Sequence, residues 1–178
     1  FGPTRGAAPA AGLAVEVSIT PEAIALRPGE RAGLRAQVLN RQPHVDHFYL
    51  RVEGLPEEWV ILPSEDLYLA PGDGAPLEWT IAPPATPPAH VGAYPFVVHI
   101  MSRADATRHA EARGLLTVAA LRQVEMTLQP STLIGRGSAT LTIWNRGNGP
   151  ETLLLTGADP ARAVAMRWAS ASDCARSR

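Results

Sequence analysis

The sequence predicts an all-β protein built as a sandwich of two sheets. Short segments of alternating apolar and polar residues recur about every 8–12 residues, as at residues 15–19 and 77–81. The 17 prolines and 15 glycines argue against helices, because both residue types destabilise a helix interior. Hydrophobic residues make up 46% of the chain, which is sufficient for a packed core.

Each predicted strand lies between turn signals. The turn Pro71-Gly72-Asp73-Gly74 combines a proline that fixes φ with glycines that allow positive φ. The proline-rich segment 83–88 predicts a crossover rather than an inner strand. Between such signals we predict strands at residues 15–19, 24–26, 34–38, 48–52, 59–62, 77–81, 94–101 and 116–118. This number and spacing of strands predicts an immunoglobulin-like Greek-key β-sandwich over residues 13–119.

Two tryptophans, 20 positions apart, are expected to share one core. Trp59 and Trp79 each lie on a predicted β segment. Tyr94 opens a late strand and is a candidate tyrosine corner, in which the hydroxyl bonds to upstream backbone. The predicted core comprises Val17, Leu34, Val38, Phe48, Leu50, Trp59, Trp79, Phe96, Val98 and Leu116.

The pattern then restarts. Residues 15–21 match residues 124–130 in kind, position by position, at a spacing of 109 residues. Residues 38–41 match residues 143–146 at a spacing of 105. One repeat therefore has the length of one immunoglobulin-sized domain. We predict a linker at 1–12, the complete sandwich at 13–119, a partial second repeat at 120–160 and an irregular tail at 161–178.

The second repeat contains only its opening strands, predicted at residues 124–128, 139–144 and 152–155. An apolar face without an opposing sheet stays exposed, and an unpaired strand edge invites association. We expect residues 120–178 to be less ordered than 13–119 and the chain to self-associate. The side chains expected to stay partly exposed are Val124, Met126, Leu128, Leu141, Ile143, Leu153 and Leu155.

Four turn and core motifs carry a resemblance: GLPEEWV at 54–60, LAPGD at 69–73, TIAPP at 80–84 and GAYPFVV at 92–98. They are similar to the bacterial NEW-type (alpha-galactosidase/NPCBM-associated) immunoglobulin-like domain. Asn145-Arg146-Gly147-Asn148 resembles the N-x-G-N turn between strands B and C of that family. The first repeat has Asn40-Arg41-Gln42-Pro43 there and lacks the glycine.

The resemblance implies a module that occurs in tandem on bacterial surface or membrane-anchored proteins, often beside carbohydrate-binding domains. It supplies no catalytic residues. We expect the chain to be an excerpt of a longer protein, because it begins at Phe1 with no signal sequence after it. The predicted location is extracellular or at the cell surface.

Charge, apolar stretches and cysteine count limit the kinds of partner that are expected. The net charge of −1 gives no basic field for a phosphate backbone, so nucleic acid is not expected. No apolar stretch reaches the ~18 residues of a membrane helix. The single cysteine, Cys174, cannot form an intramolecular disulfide. The expected partners are neighbouring domains of the same chain, with a polysaccharide or another surface protein as further options.

Several side chains are candidates for functional groups. His44, Asp46 and His47 form the nearest approach to a metal site, but a solvated loop is the favoured interpretation. Turn solvation is favoured for the four carboxylates that could act in pairs, and neither Ser131 nor Ser138 has a partner in a motif. His99 is expected on the outer face. The four carboxylates are Glu57, Glu58, Glu65 and Asp66. Outward positions, at which a ring could stack on a sugar, are also predicted for Tyr49, Tyr68 and Trp144, but for Trp144 contact with a neighbouring domain or burial in an imperfect sandwich is the favoured interpretation.

No catalytic residue, cofactor or metal is therefore predicted. The favoured function is a non-catalytic structural, spacer or adhesion module of a larger bacterial surface protein. The alternative is an accessory domain of a secreted or membrane-anchored hydrolase, in which exposed aromatic rings contact carbohydrate.

Overall fold

A computed structural model describes residues 14–133 and 137–156. The predicted linker at 1–12 and tail at 161–178 lie outside the described residues. Within the described ranges the strands are β1 (Val15–Thr20), β2 (Ala23–Leu26), β3 (Ala32–Asn40), β4 (Asp46–Glu53), β5 (Val60–Ile61), β6 (Leu67–Leu69), β7 (Gly74–Ile81), β8 (Gly92–Ser102), β9 (His109–Val118), β10 (Val124–Gln129) and β11 (Thr140–Asn145). A 3-10 turn, Glu57–Trp59, precedes β5.

The first nine strands form two sheets. One has the order β1-β3-β7-β5 and the other has the order β2-β9-β8-β4-β6. Neighbouring strands are antiparallel except for β2 and β9, which run parallel. The chain passes from one sheet to the other at every connection from β1 to β8, and among these nine strands only β8 and β9 follow each other within one sheet. Strands distant in sequence therefore lie side by side, as in a Greek-key sandwich. The prediction of an all-β, immunoglobulin-like sandwich is confirmed.

The core lies between the two sheets. Nine of the ten predicted core residues are buried, and Val17, on the edge strand β1, is half-buried. Further buried positions that the prediction left out also belong to the core, among them Val15, Ile19, Leu26, Ala36, Leu69, Leu77, Ile81, Ile100 and Val118.

Aromatic rings occupy the centre of this core. Trp79 and Phe96 meet edge to face with their centroids 5.7 Å apart. The Phe96 ring lies over Gly114, where a Cβ atom would fall 2.2 Å from the ring, so only glycine fits there. Trp59 is also buried, but it ends the 3-10 turn rather than lying on a strand, because Gly54-Leu55-Pro56 interrupts the extended backbone before it.

The predicted tyrosine corner is present. The Tyr94 hydroxyl donates a hydrogen bond to the carbonyl of His90 at 2.9 Å. The same ring packs edge to face against Trp59 with centroids 5.1 Å apart. Tyr94 therefore fixes the start of β8 against both the crossover and the core.

The second repeat reproduces the opening of the first. Strand β10 pairs with β11 so that Val124 faces Asn145, as Val15 faces Asn40 between β1 and β3. An ion pair recurs at equivalent places, from Arg41 to Glu16 (3.1 Å) and from Arg146 to Glu125 (3.2 Å). The internal repeat inferred from sequence is thus also a repeat of register and side-chain contacts.

The predicted strand at residues 152–155 was wrong. Residues 151–156 have no regular structure. Its counterpart in the first repeat, β4, pairs with β8 and β6, and neither of those strands has an equivalent in the described part of the second repeat. A strand without a neighbour leaves its backbone groups unpaired.

The expected exposure of the second repeat is confirmed. Met126 and Leu128 are 59% and 49% exposed, whereas Ile19, the counterpart of Leu128, is 4% exposed. Leu153 and Leu155 are also exposed, and the remaining three predicted residues are half-buried: Val124, Leu141 and Ile143.

Replacing Trp79 tests the core. We expect Trp79→Ala to lower the free energy of unfolding by about 3–5 kcal/mol, because the ring is buried against Phe96. Trp79→Phe is the matched control. It keeps an aromatic ring in the core and removes three ring atoms rather than the whole side chain. The one polar atom that is lost, Nε1, has no hydrogen-bond partner among the described residues, so the cost should be much smaller. Chemical denaturation measures both, and an unchanged stability of Trp79→Ala would contradict the assignment.

Candidate functional site: the joint between the two repeats

The three candidate metal ligands, His44, Asp46 and His47, make contacts in different directions. Asp46 is buried, His47 packs edge to face on Tyr68 with centroids 5.1 Å apart, and His44 Nε2 lies 2.8 Å from a guanidinium nitrogen of Arg108. In the described ranges, no group of three or more histidine, cysteine, aspartate or glutamate side chains is placed to hold a metal ion.

The prediction of a solvated loop after β3 is correct only in part. Pro43, His44 and Val45 are exposed, whereas Gln42 and Asp46 are buried with their polar groups satisfied inside the protein. Gln42 Nε2 donates to Asp46 Oδ2 at 3.0 Å, and Ser102 Oγ donates to the same oxygen at 2.5 Å. Arg108 donates to Gln42 Oε1. This network joins the loop after β3 to the loop after β8.

The network sets the ionisation of Asp46. Burial raises the pKa of its carboxyl group, but hydrogen bonds from Ser102, from Gln42 and from the backbone of His47 and Ala104 outweigh burial. The pKa of Asp46 therefore lies below its usual value, and the carboxylate is a structural anion held by donors.

Asn40, at the end of β3, completes this end of the sandwich. Its Nδ2 group donates to the carbonyls of His44 (3.0 Å) and Leu69 (3.1 Å), and its Oδ1 accepts the backbone N–H of Gln42 at 3.0 Å. Strand β3 belongs to one sheet and Leu69 to the other. The side chain of Asn40 thus connects the two sheets.

The prediction that the four carboxylates are solvated is confirmed, because Glu57, Glu58, Glu65 and Asp66 are all exposed. Asp66 forms a two-pronged contact with Arg103 at 2.7 and 3.0 Å, while Glu57 and Glu58 are exposed in the 3-10 turn. His99 lies on the outer face, as expected. Its two ring nitrogens lie 3.2 Å from Glu53 and 3.4 Å from Glu111.

The outward positions predicted for three aromatic rings are confirmed. Tyr68 is 59% exposed and Trp144 is 41% exposed, whereas the ring of Tyr49 is covered by the guanidinium of Arg103 at 4.1 Å. Tyr68 belongs to β6 and Trp144 to β11, so the two exposed rings lie on different repeats.

The most highly connected polar residue outside the first sandwich is Asn148. Its Nδ2 group donates to the carbonyls of Ala89 (2.8 Å) and Ala119 (2.9 Å). Its Oδ1 accepts the N–H of Leu121 at 2.7 Å, and its backbone carbonyl accepts the N–H of Val91 at 3.0 Å. Only 3% of the residue is exposed. Both amide protons and the amide oxygen therefore have partners.

These contacts join the second repeat to the first. Ala89 and Val91 belong to the crossover between β7 and β8, and Ala119 and Leu121 belong to the segment between β9 and β10. The Asn148 side chain thus lies where the turn after β11 meets the crossover of the first sandwich and the segment that connects the two repeats. We call this contact the Asn148 joint.

Two glycines allow the close approach at the Asn148 joint. A Cβ atom on Gly147 would lie 2.2 Å from the carbonyl oxygen of Leu121. A Cβ atom on Gly149 would lie 2.7 Å from a methyl group of Val91. Asn145 supports the turn itself, because its Nδ2 donates to Gly149 O and its Oδ1 accepts from Gly147 N–H.

The corresponding turn of the first repeat is built differently. Asn40 matches Asn145 in accepting a hydrogen bond from the residue two positions later and donating to the residue four positions later. Pro43 occupies the position of Asn148 and is exposed. The first-repeat turn therefore satisfies itself within its own sandwich.

Sequence reasoning identified the N-x-G-N turn but not its role. The signal was available in part, since Asn148 is one of only three asparagines in the chain and the other two, Asn40 and Asn145, are turn residues. The partners of Asn148 are backbone groups, however, and their positions depend on the folded path of residues 89–91 and 119–121.

Comparison with known proteins finds fold-level similarity only. No protein-family model and no curated protein matches the chain. Among solved structures, the ASH/PapD-like domain of human CEP192 is 14% identical, with a TM-score of 0.38 and coverage of 66% of this chain and 92% of that chain. A FixG-related protein from Vibrio parahaemolyticus is 14% identical, with a TM-score of 0.44 and coverage of 59% and 96%.

A third solved structure belongs to an enzyme. The family 123 glycoside hydrolase from Clostridium perfringens is 9% identical, with a TM-score of 0.48, and the match covers 60% of this chain and 27% of that chain. At these scores and identities, none of the three likenesses carries an argument about function. The only helical element described, a three-residue turn, is far too short to cross a membrane.

Asp46 makes a prediction about pH. Its lowered pKa means that the ionised form stabilises the folded chain above the ordinary carboxyl pKa, and that this stabilisation is lost as pH falls through the folded-state pKa. We expect Asp46→Asn to be less stable by about 1–3 kcal/mol at pH 7, with the difference from the parent shrinking below about pH 4.

Urea denaturation at pH 7 and at pH 3 measures this effect. Asp73→Asn is the matched control, because Asp73 is exposed in a nearby turn and the same chemical change there should cost little at either pH. A constant difference between the parent and Asp46→Asn across this pH range would contradict the role given to the carboxylate.

Proposed function

We propose that the chain is a non-catalytic structural module in which a buried asparagine fixes the geometry between two consecutive β-sandwich repeats. The observation that carries this proposal is the Asn148 joint, in which one residue makes five hydrogen bonds. They reach the crossover of the first sandwich at Ala89 and Val91 and the segment between β9 and β10 at Ala119 and Leu121. A flexible linker would need no such buried contact, since a linker functions through its freedom to move.

The proposal places the chain in a larger extracellular or surface-attached bacterial protein, as a tandem NEW-type immunoglobulin-like module. The four family-like motifs and the internal repeat of register support this assignment. The proposed partners are the neighbouring domains of the same polypeptide. A spacer of this kind sets a defined direction from one repeat to the next, which suits a protein that must hold a terminal domain away from a surface.

Asn148→Asp tests the proposed joint. The change is isosteric, but it replaces a two-proton donor with a carboxylate oxygen that faces the carbonyls of Ala89 and Ala119. We expect the amides of Leu121 and Val91 to exchange roughly 10- to 100-fold faster, because losing a buried hydrogen bond costs about 1–3 kcal/mol. Residual dipolar couplings should show that β10–β11 no longer keeps a fixed orientation to the first sandwich.

Gln123→Glu is the matched control. It makes the same change from amide to carboxylate on an exposed residue of the same segment. This control should leave amide exchange and orientation unchanged. If Asn148→Asp also left both unchanged, the Asn148 joint would not fix the geometry between the repeats.

The proposal also predicts that the chain has no catalytic activity of its own. Its physical basis lies in the described residues, where His44, Asp46 and His47 make separate contacts and Asp66 is paired with Arg103. The Ser102 hydroxyl that donates to Asp46 is itself buried, at 2% exposure, and is therefore closed to a substrate. Purified chain should not turn over glycan, ester or peptide substrates above background. Turnover that a single substitution in the chain abolishes would refute this part of the proposal.

A further inference from the structure

Both outer edges of the β10–β11 hairpin lack a neighbouring strand in the part of the chain that the structure describes, but only the edge of β11 corresponds to an edge that is paired in the first repeat. Strand β11 pairs there with β10 alone. Its counterpart β3 is paired on both sides, by β1 and by β7. The edge of β11 that faces away from β10 is therefore equivalent to an edge that the first sandwich covers completely.

The backbone groups at this edge can be identified. Residues of an antiparallel strand direct their N–H and C=O groups alternately to one neighbour and to the other. Arg146 N–H donates to Gln123 O at 2.8 Å. Trp144 and Thr142 lie two and four residues before Arg146, so their backbone N–H and C=O groups also bond to β10. Leu141 and Ile143 consequently direct their backbone groups to the uncovered edge.

The first repeat supports this assignment. Arg41 N–H donates to Ala14 O at 3.1 Å, which sets the same parity for β3. Asn40, with the parity that points away from β1, donates its backbone N–H to Asp73 O at 2.9 Å on the β7 side. Ala36 and Val38 are the counterparts of Leu141 and Ile143, and both face β7 residues.

The sequence of β11 provides no protection for this edge. Natural edge strands are usually guarded by charged residues, proline or a bulge. Strand β11 reads Thr-Leu-Thr-Ile-Trp-Asn, with no charge and no proline, and most of its residues favour β-structure. Strand β10, by contrast, contains Glu125. The uncovered edge therefore lies on the uncharged strand of the hairpin.

We propose that β11 pairs antiparallel with β11 of a second copy of this chain, about a two-fold axis at Thr142. This pairing joins the two hairpins into one four-stranded sheet and so continues the existing β10–β11 ladder. A two-fold interface uses the same patch on both copies. The proposal goes beyond the proposed function, because it concerns a surface away from the Asn148 joint.

The strand is complementary to itself in this register. Leu141 of each copy faces Ile143 of the other, which pairs the residues whose backbone groups face the uncovered edge. Thr142 faces Thr142, and Thr140 faces Trp144. Threonine pairs and pairs of an aromatic with a β-branched residue are both favourable across strands. Trp144, which is 41% exposed, gains a neighbour.

Centring the axis on Thr142 pairs residues 140–144 of each copy with residues 140–144 of the other and leaves only Asn145 of β11 outside the new ladder. An axis at Ile143 keeps the backbone parity and pairs residues 141–145, but it draws Asn145, whose side chain holds the turn through Gly147 and Gly149, into the interface. The apolar face of each hairpin, which carries Met126, Leu128, Leu141 and Ile143, comes to the same side of the joined sheet. The reason is that a two-fold axis perpendicular to a sheet leaves each face on its own side.

Introducing a charge at Thr142 tests the proposal on the full chain. Sedimentation velocity over a range of concentrations should show a monomer–dimer equilibrium for the parent. Thr142→Lys and Thr142→Glu should each weaken the dimer at least about five-fold, because like charges then stand directly opposite. An equimolar mixture of the two variants should recover a dimer. Ser18→Lys, on exposed β1 of the first sandwich, is the control and should leave the equilibrium unchanged.

Disulfide trapping gives a second measurement that does not depend on charged variants. In a Cys174→Ser background, Thr142→Cys should form a covalent dimer on mild oxidation, because residue 142 faces itself across the axis. Thr127→Cys is the control. Thr127 is the neighbour of Thr142 on β10, one strand further from the axis, and should not cross-link.

Three results would overturn the pairing. They are a chain that remains monomeric at all concentrations, a dimer that neither charged variant weakens, and equal cross-linking through residues 127 and 142. Loss of the Asn148 joint would change none of these readouts, so the two proposals can fail separately.

Discussion

The first sandwich depends on one buried amide at the end of β3. Asn40 is fully buried, and its side chain bonds to backbone on both sides of the molecule: Gln42 beyond its own strand and Leu69 in the opposite sheet. Without these bonds the carbonyl and N–H groups at this end would be buried without partners, which costs more than the bonds themselves contribute. The apolar core holds the sheets face to face, and Asn40 fixes how their ends meet.

The second repeat uses the same device for a different contact. Asn145 repeats the local bonds of Asn40, but the bonds from the turn to the rest of the molecule pass to Asn148 three residues later. In the first repeat the loop joins its own opposite sheet through Asp46 and Ser102. In the second, the turn joins the preceding sandwich. One turn type thus serves to close a sandwich in one repeat and to attach a repeat in the other.

Alternation predicted most of the fold, because the period of two places each side chain on a definite face. It identified the burial of Phe48, Trp79 and Val98 and the outward position of His99. It was wrong for residues 152–155, since a strand needs a partner as well as a pattern. It also missed the burial of Gln42 and Asp46, and the role of Asn148. A sequence pattern assigns polar residues to solvent. Their burial depends on hydrogen-bond donors and acceptors that come into reach only when the backbone has folded.

The tight contact of Gly147 with Leu121 has a mechanical consequence. The segment between β9 and β10 is held in place by hydrogen bonds, because Asn148 bonds to it at Ala119 and Leu121 and to the crossover at Ala89 and Val91. A pull along the chain from one repeat to the next must therefore load several hydrogen bonds at once before the segment can straighten. These hydrogen bonds make the connection resist extension. Inserting a single residue into the segment would separate Asn148 either from the crossover or from the segment itself.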